Sequence, residues 1–155
     1  MRHGERLDDL FRMETKTWKM LCEKERVYNQ RDPKMPLTLA PFEHRPLVNF
    51  ADDPPLSEAG QKMAEMMGAC LLREGCNPDF IYASPALRCV QTAEFLSRCF
   101  ESPSRPKIRV ETGLYGTSFS HIEEPREWLR VKEFANAGYF VDCEYEPMMT
   151  QRQIG

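Results

Sequence analysis

The stretch from Phe80 to Phe100 constrains this chain more than any other part of it. Phe80-Ile81-Tyr82-Ala83 is a short apolar run that reads as a buried strand. Ser84-Pro85 follows, a residue able to cap a helix and a proline suited to the first helical position. Ala86, Val90, Ala93, Leu96 and Phe100 then recur every three or four residues and mark the buried face of a helix. A strand that turns directly into a helix is the unit from which α/β folds are built. Such a turn also leaves unpaired N–H groups and the positive end of the helix dipole facing one point, which favours an anion.

The remaining elements fit an α/β alternation. Ser57 can cap a helix running to about Glu74, with Met63, Met66, Met67, Cys70 and Leu71 on one face, expected to point into the core, and Gly75 as its stop. Ile108 to Glu111 reads as a second strand, and Arg126 to Ala137 as a helix closed by Gly138. Thr15 to Tyr28, with Trp18, Leu21 and Cys22 among many charges, suits a short surface helix. From Asp32 to Pro55, six prolines forbid regular helix and predict an extended, turn-rich insertion.

The 155 residues are 41% hydrophobic and 29% charged, the balance of one globular domain. A formal charge of −3 gives no footprint for nucleic acid, which rewards clustered Lys and Arg. No run approaches the ~20 apolar residues a bilayer demands, and no leader-like segment follows the charged start, so a cytoplasmic chain with no membrane partner is expected. The six cysteines lack CxxC spacing and only three histidines accompany them; we expect reduced, mostly buried thiols and no metal site. A homodimer is left open.

Two segments carry chemistry. Arg2-His3-Gly4-Glu5-Arg6 sets a histidine between arginines, beside a glycine that permits close backbone approach to a ligand. Guanidinium forks match phosphate oxygens, and neighbouring positive charge favours a neutral imidazole able to attack phosphorus. By itself such a cluster at a chain start is usually a solvated, flexible end. The second segment, Ser84-Pro85-Ala86-Leu87-Arg88, shifts the balance: with Ser84 as cap, Arg88 lies in the opening turns and leans back toward the same anion-favouring helix end.

Arg2-His3-Gly4, Pro55-Leu56-Ser57 with Gly60, and the string Ser84 to Ala93 resemble the successive signatures of the histidine phosphatase superfamily, also called phosphoglycerate mutase-like. Arg6, the wording Asp53-Pro54-Pro55-Leu56-Ser57 and the unbroken Ser84 to Ala93 string are similar to the branch holding the suppressor of T-cell receptor signalling phosphatases and ecdysteroid-phosphate phosphatase. The resemblance implies a three-layer α/β/α sandwich and a two-step reaction without metal or cofactor, in which His3 is the nucleophile and becomes phosphohistidine before water releases phosphate. It implies that Arg2, Arg6 and Arg88 stabilise charge on the transferring oxygens, with Ser84 beside them in substrate binding, and that the substrate is a phosphomonoester or phosphoprotein.

The chain departs from that pattern in two places. The resemblance puts an acid glutamate, proton donor to the leaving group, where Gly116 stands in Glu111-Thr112-Gly113-Leu114-Tyr115-Gly116; losing such an acid costs ~10²–10⁴ in rate. Glu123, Glu124 and His121 lie near but read as exposed helix-start or loop residues. The family's second histidine, in a Ser-His-Gly-like motif, and most of the strand before Arg-His-Gly fall outside residues 1–155, which are therefore expected to form a partial histidine phosphatase domain. Two functions follow: phosphomonoester hydrolysis through His3 in the intact form, or a non-catalytic relative that keeps the pocket and binds phosphate or a phosphoprotein. The Cys99-x5-Arg105 spacing of tyrosine phosphatases is set aside, because Cys99 falls at a helix C-terminus, where the dipole raises a thiol pKa.

Overall fold

The computed structural model describes residues 3–14, 18, 22, 41–42, 45–115 and 128–149, with the backbone alone for 11–14. Its centre is a parallel pair of strands, β1 (Phe80–Ala83) and β2 (Lys107–Val110), joined through helix α2 (Leu87–Ser97). Parallel strands need such a crossover, and the expected strand-to-helix unit supplies it. Tyr82 pairs in register with Arg109 and Ala83 with Val110, while Val141 forms an isolated parallel bridge to Ile108. The alternation of side chains sends Ala83, Ile108 and Val110 toward α2, whose Ala86, Leu87, Val90, Ala93 and Leu96 are buried as the spacing predicts. Phe134 completes this core from α3 (Val131–Asn136), edge-on to Phe42 at 5.6 Å between centroids.

Helix α1 (Glu58–Arg73) begins where expected, with the Ser57 side chain accepting from Gly60 N at 3.0 Å, and ends at Gly75, whose φ of +76° only glycine adopts without strain. Its buried face overturns the expectation. Met63, Met66 and Met67 are 58%, 64% and 45% exposed, and Cys70 is exposed as well. The residues turned inward are Gly60, Ala64 and Gly68, a four-residue repeat of small side chains that lets α1 lie against its neighbours backbone to backbone. A Cβ on Gly68 would stand 2.3 Å from the Leu96 carbonyl oxygen of α2. Apolar periodicity cannot reveal that choice, because the methionines form the more hydrophobic stripe.

Four further expectations change. Phe80 and Tyr82 are 38% and 51% exposed, so β1 is buried on one face only. On its open face Arg109 stacks 3.4 Å from the Phe80 ring centroid and donates to Tyr82 Oη and Asp142. The second strand is Lys107–Val110, because Glu111 turns to cap a short 3-10 turn (Thr112–Leu114). The last helix is Val131–Asn136 rather than 126–137, since Arg130 is extended at ψ 155° and serves as N-cap; residues 126–127 lie outside the described ones. All six cysteines are free as expected, yet Cys22 alone is buried and Cys70, Cys76 and Cys143 are exposed. Of the helix expected at 15–28, Trp18 and Cys22 are described; both are helical and buried. The proline-rich stretch, where described, contains a 3-10 turn at Leu47–Phe50.

Glu111 also ties down residues 145–149. Its carboxylate accepts from Tyr145 Oη at 2.6 Å and from the N–H groups of Gly113, Met148 and Met149. The Tyr145 bond above all, then Gly113, holds its pKa down to about 2 from 4.5. A carboxyl with a depressed folded value stabilises fully above its unfolded pKa and loses that contribution as pH falls through the folded one. Stability should therefore drain between about pH 4.5 and 2. Glu111→Gln should flatten that limb and cost on the order of 1–2 kcal/mol at pH 7, with solvent screening allowed for, as read by urea titration across pH.

Candidate phosphate site

The segment bearing His3 is stapled to the start of α1. Arg6 and Leu56 form an antiparallel bridge, Leu7 N donates to Pro55 O at 2.8 Å, and Ser57 N donates to Glu5 O at 3.0 Å. The Ser57 hydroxyl donates to Glu5 Oε1 at 2.6 Å, so one serine both caps α1 and holds the histidine segment. Gly4 and Gly60 meet face to face: a Cβ on Gly4 would stand 2.6 Å from Gly60 O. Here the expected close approach of Gly4 is to the protein's own backbone.

Helix α2 fixes the same segment from the other side. Gly4 N donates to Thr92 Oγ1 at 3.1 Å, and that hydroxyl donates to Arg88 O at 2.7 Å. Leu56 N donates to the buried Gln91 Oε1 at 2.7 Å. Gln91 and Thr92 thus join the His3 segment, the Pro55-Leu56-Ser57 segment and the Arg88 turn into one cluster. His3 Nδ1 lies 2.8 Å from Gly4 O. With Nδ1–H donating to that carbonyl, the neutral ring carries its lone pair on Nε2, the tautomer a nucleophilic histidine needs.

The helix start differs from expectation. The N-cap is Ala86, without a side-chain cap, and Ser84 instead lies buried at the end of β1 and hydrogen-bonds the half-buried Cys89 thiol, whose pKa burial pushes up. A carboxylate from elsewhere performs the capping: Asp53 Oδ1 accepts from Leu87 N at 2.8 Å. The other oxygen of Asp53 accepts from Arg45 Nη1 at 2.9 Å, and Arg88 Nη1 stands 3.9 Å from Oδ1. Both members of the Arg45–Asp53 pair are almost fully buried. Burial raises the Asp53 carboxyl above its ordinary value, against the lowering pull of Arg45, Leu87 N–H and Arg88.

Arg88 falls at the second helical position, in the opening turn as expected. Its Nε is buried without a hydrogen-bond partner among the described residues. Buried guanidinium N–H groups rarely stay unpaired, and at a helix N-terminus an oxyanion is a fitting acceptor. Arg6 is less available. Asp8 takes Nε and Nη2 in a fork of 2.9 and 2.7 Å, with Asp9 at 3.7 Å, so a phosphate at Arg6 would share it with two carboxylates. Arg2, Gly116, His121, Glu123 and Glu124 lie outside the described residues. Arg45 was not anticipated, and Asp53, Gln91 and Thr92 stood in the quoted motifs without roles. Among the described residues, no His, Cys, Asp and Glu side chains gather in a group that could hold a metal.

Fold and site together define an α/β unit in which a strand ends at an arginine-bearing helix start, with a histidine segment pinned to that helix. The chain belongs to the histidine phosphatase superfamily, branch 1, whose family model matches residues 41–137. It is 34% identical over 151 residues to mouse ubiquitin-associated and SH3 domain-containing protein A, covering 96% of this chain and 24% of that protein. It is 32% identical over 155 residues to Drosophila melanogaster ecdysteroid-phosphate phosphatase, covering 99% and 20%. The solved ecdysone phosphate phosphatase of Bombyx mori, in complex with tungstate, superposes with a TM-score of 0.78 at 33% identity, over 97% of this chain and 56% of that one. The chain thus spans about a fifth to a quarter of the length of the curated relatives it matches. These relatives are the branch that the Asp53 to Ser57 and Ser84 to Ala93 motifs resemble, and the shared fold is the α/β architecture expected from them.

Proposed function

We propose that residues 1–155 are part of a histidine phosphatase domain whose site takes a phosphomonoester or phosphoprotein, with His3 as nucleophile and Arg2, Arg6, Arg88 and Ser84 around the phosphoryl group. The buried Nε of Arg88, without a hydrogen-bond partner among the described residues, carries this proposal, because it sits at a helix start that Thr92 joins to the His3 segment. A tetrahedral oxyanion, tungstate, is bound by the solved relative, and the names of two relatives describe a phosphorylated substrate. His3 Nε2 would attack phosphorus as the ester oxygen leaves, and the arginines would hold the equatorial oxygens.

Orthovanadate, a phosphate mimic, should bind the chain, and Arg88→Ala should weaken it by about 10- to 100-fold, the worth of charge-assisted hydrogen bonds at ~1.5–3 kcal/mol. Calorimetric titration reads this directly, and equal affinity in both proteins would remove Arg88 from the site. A cytoplasmic setting accords with six free thiols, and no helix among the described residues is long and apolar enough to cross a membrane. Gly116 at the acid position favours a second reading, a pocket that binds without turnover, in which vanadate binds but no ester is hydrolysed.

A further inference from the structure

Arg45 and Arg88 meet the Asp53 carboxylate on unequal terms. Its Oδ2 accepts from Arg45 Nη1 at 2.9 Å and its Oδ1 from Leu87 N at 2.8 Å, so both oxygens already serve close donors. Arg88 Nη1 stands 3.9 Å from Oδ1, near enough to feel the charge and too far for a hydrogen bond. Arg6 shows the opposite outcome: Asp8 takes its Nε and Nη2 at 2.9 and 2.7 Å, and that fork is occupied by the protein's own carboxylate.

Arg45 is held rigidly in its place. Its backbone N–H donates to Phe42 O at 3.0 Å, and its guanidinium carbon lies 4.9 Å from the centroid of the Phe50 ring. Phe42 and Phe50 are both buried, and the Arg45 side chain is only 5% exposed. A guanidinium stacked on an aromatic face and closed to water is fixed in direction as well as in charge. The proline-rich stretch thereby delivers a cation to the oxygen of Asp53 that Arg88 does not approach. Without that cation Asp53 would be a buried, uncompensated anion, and Arg88 is within its reach.

We propose that Arg45 is a positioning residue for the phosphate site: by neutralising Asp53 it stops that carboxylate from capturing Arg88, and so keeps the Arg88 guanidinium open to a phosphoryl oxygen. This rests on the phosphate site proposed above and adds how its arginine is held ready. Arg45 and Asp53 act through Arg88 and need no contact with the anion.

The test is calorimetric titration of orthovanadate into the chain and its variants. Arg45→Met, close in length and without charge, should weaken binding about 10-fold, the scale of a charge-assisted hydrogen bond from Arg88 to Asp53 that the anion must then displace. Adding Asp53→Asn removes the competing charge while leaving an amide oxygen to accept from Leu87 N, and should return affinity to within about threefold of the unaltered chain. A second substitution that restores binding separates this role from a structural one, in which the two losses would accumulate. Removing one member of a buried ion pair can unfold a domain, whereas removing both is often neutral. Where Arg45→Met does not fold, the doubly substituted chain therefore carries the test, and a loss there of more than about 10-fold overturns the proposal. Undiminished binding by Arg45→Met, or a further loss when Asp53→Asn is added, overturns it equally. A chain that binds no orthovanadate, or binds it as well with Arg88→Ala, fails at the phosphate site itself, and the role of Arg45 falls with that site.

Discussion

In the intact form of the domain, His3→Ala is expected to abolish hydrolysis of 4-nitrophenyl phosphate, lowering kcat by more than ~10³-fold, the scale on which removal of a catalytic nucleophile acts. The substrate matters to the design. Gly116 offers no proton, and an alkyl leaving group that must depart protonated would be slower by ~10²–10⁴. 4-Nitrophenolate leaves as a stable anion and bypasses that step, so the nucleophile is tested apart from the acid. Gly4 N anchors to Thr92 through the backbone, so the substitution leaves that tether in place. Orthovanadate should accordingly still bind His3→Ala through Arg88. Loss of turnover with retained anion binding identifies a nucleophile; equal turnover in the variant would remove His3 from the mechanism.

Gly68→Leu should cost about 3 kcal/mol or more, a large share of the ~5–15 kcal/mol that holds a domain of this size together. The reason is geometric. A Cβ at Gly68 would stand 2.3 Å from the backbone oxygen of Leu96 and 3.0 Å from Cys99 Sγ, and backbone cannot swing aside as a side chain can. Forcing α1 from α2 would also strain the Ser57–Glu5 and Gly4–Thr92 hydrogen bonds that hold the His3 segment between them. Met66→Ala is the control: at 64% exposed it should change stability by no more than ~0.5 kcal/mol. Chemical denaturation of both variants reads the contrast. A larger loss for Met66→Ala would restore the methionine stripe to the core.

The sequence makes legible what local rules govern. The α2 stripe from Ala86 to Phe100, the Ser57 cap and the glycine stops at Gly75 and Gly138 follow from spacing and backbone preference, and all stand in the structure. The buried face of α1 follows from contact with another helix, and glycine carries no hydrophobic signal to announce it. The cap of α2 fails for the same reason. Ser84-Pro85 satisfies the local rule, yet Asp53, more than thirty residues earlier, reaches Leu87 N first. At the proposed phosphate site, the candidate residues His3 and Arg88 are visible as types and spacing. Arg45, Asp53, Gln91 and Thr92 act by position, and position comes from long-range contacts that one-dimensional pattern does not contain.

The most direct test of the whole reaction is to trap its intermediate. The intact form of the domain is mixed with 4-nitrophenyl phosphate, quenched within the first turnovers in alkali, where phosphohistidine survives, and mapped by peptide mass spectrometry. One phosphoryl group on His3, absent from His3→Ala and reduced in Arg88→Ala, is the expected result. Nitrophenol release with His3 unmodified at every quench time, or a phosphoryl group on another residue, would contradict His3 as the nucleophile of this site.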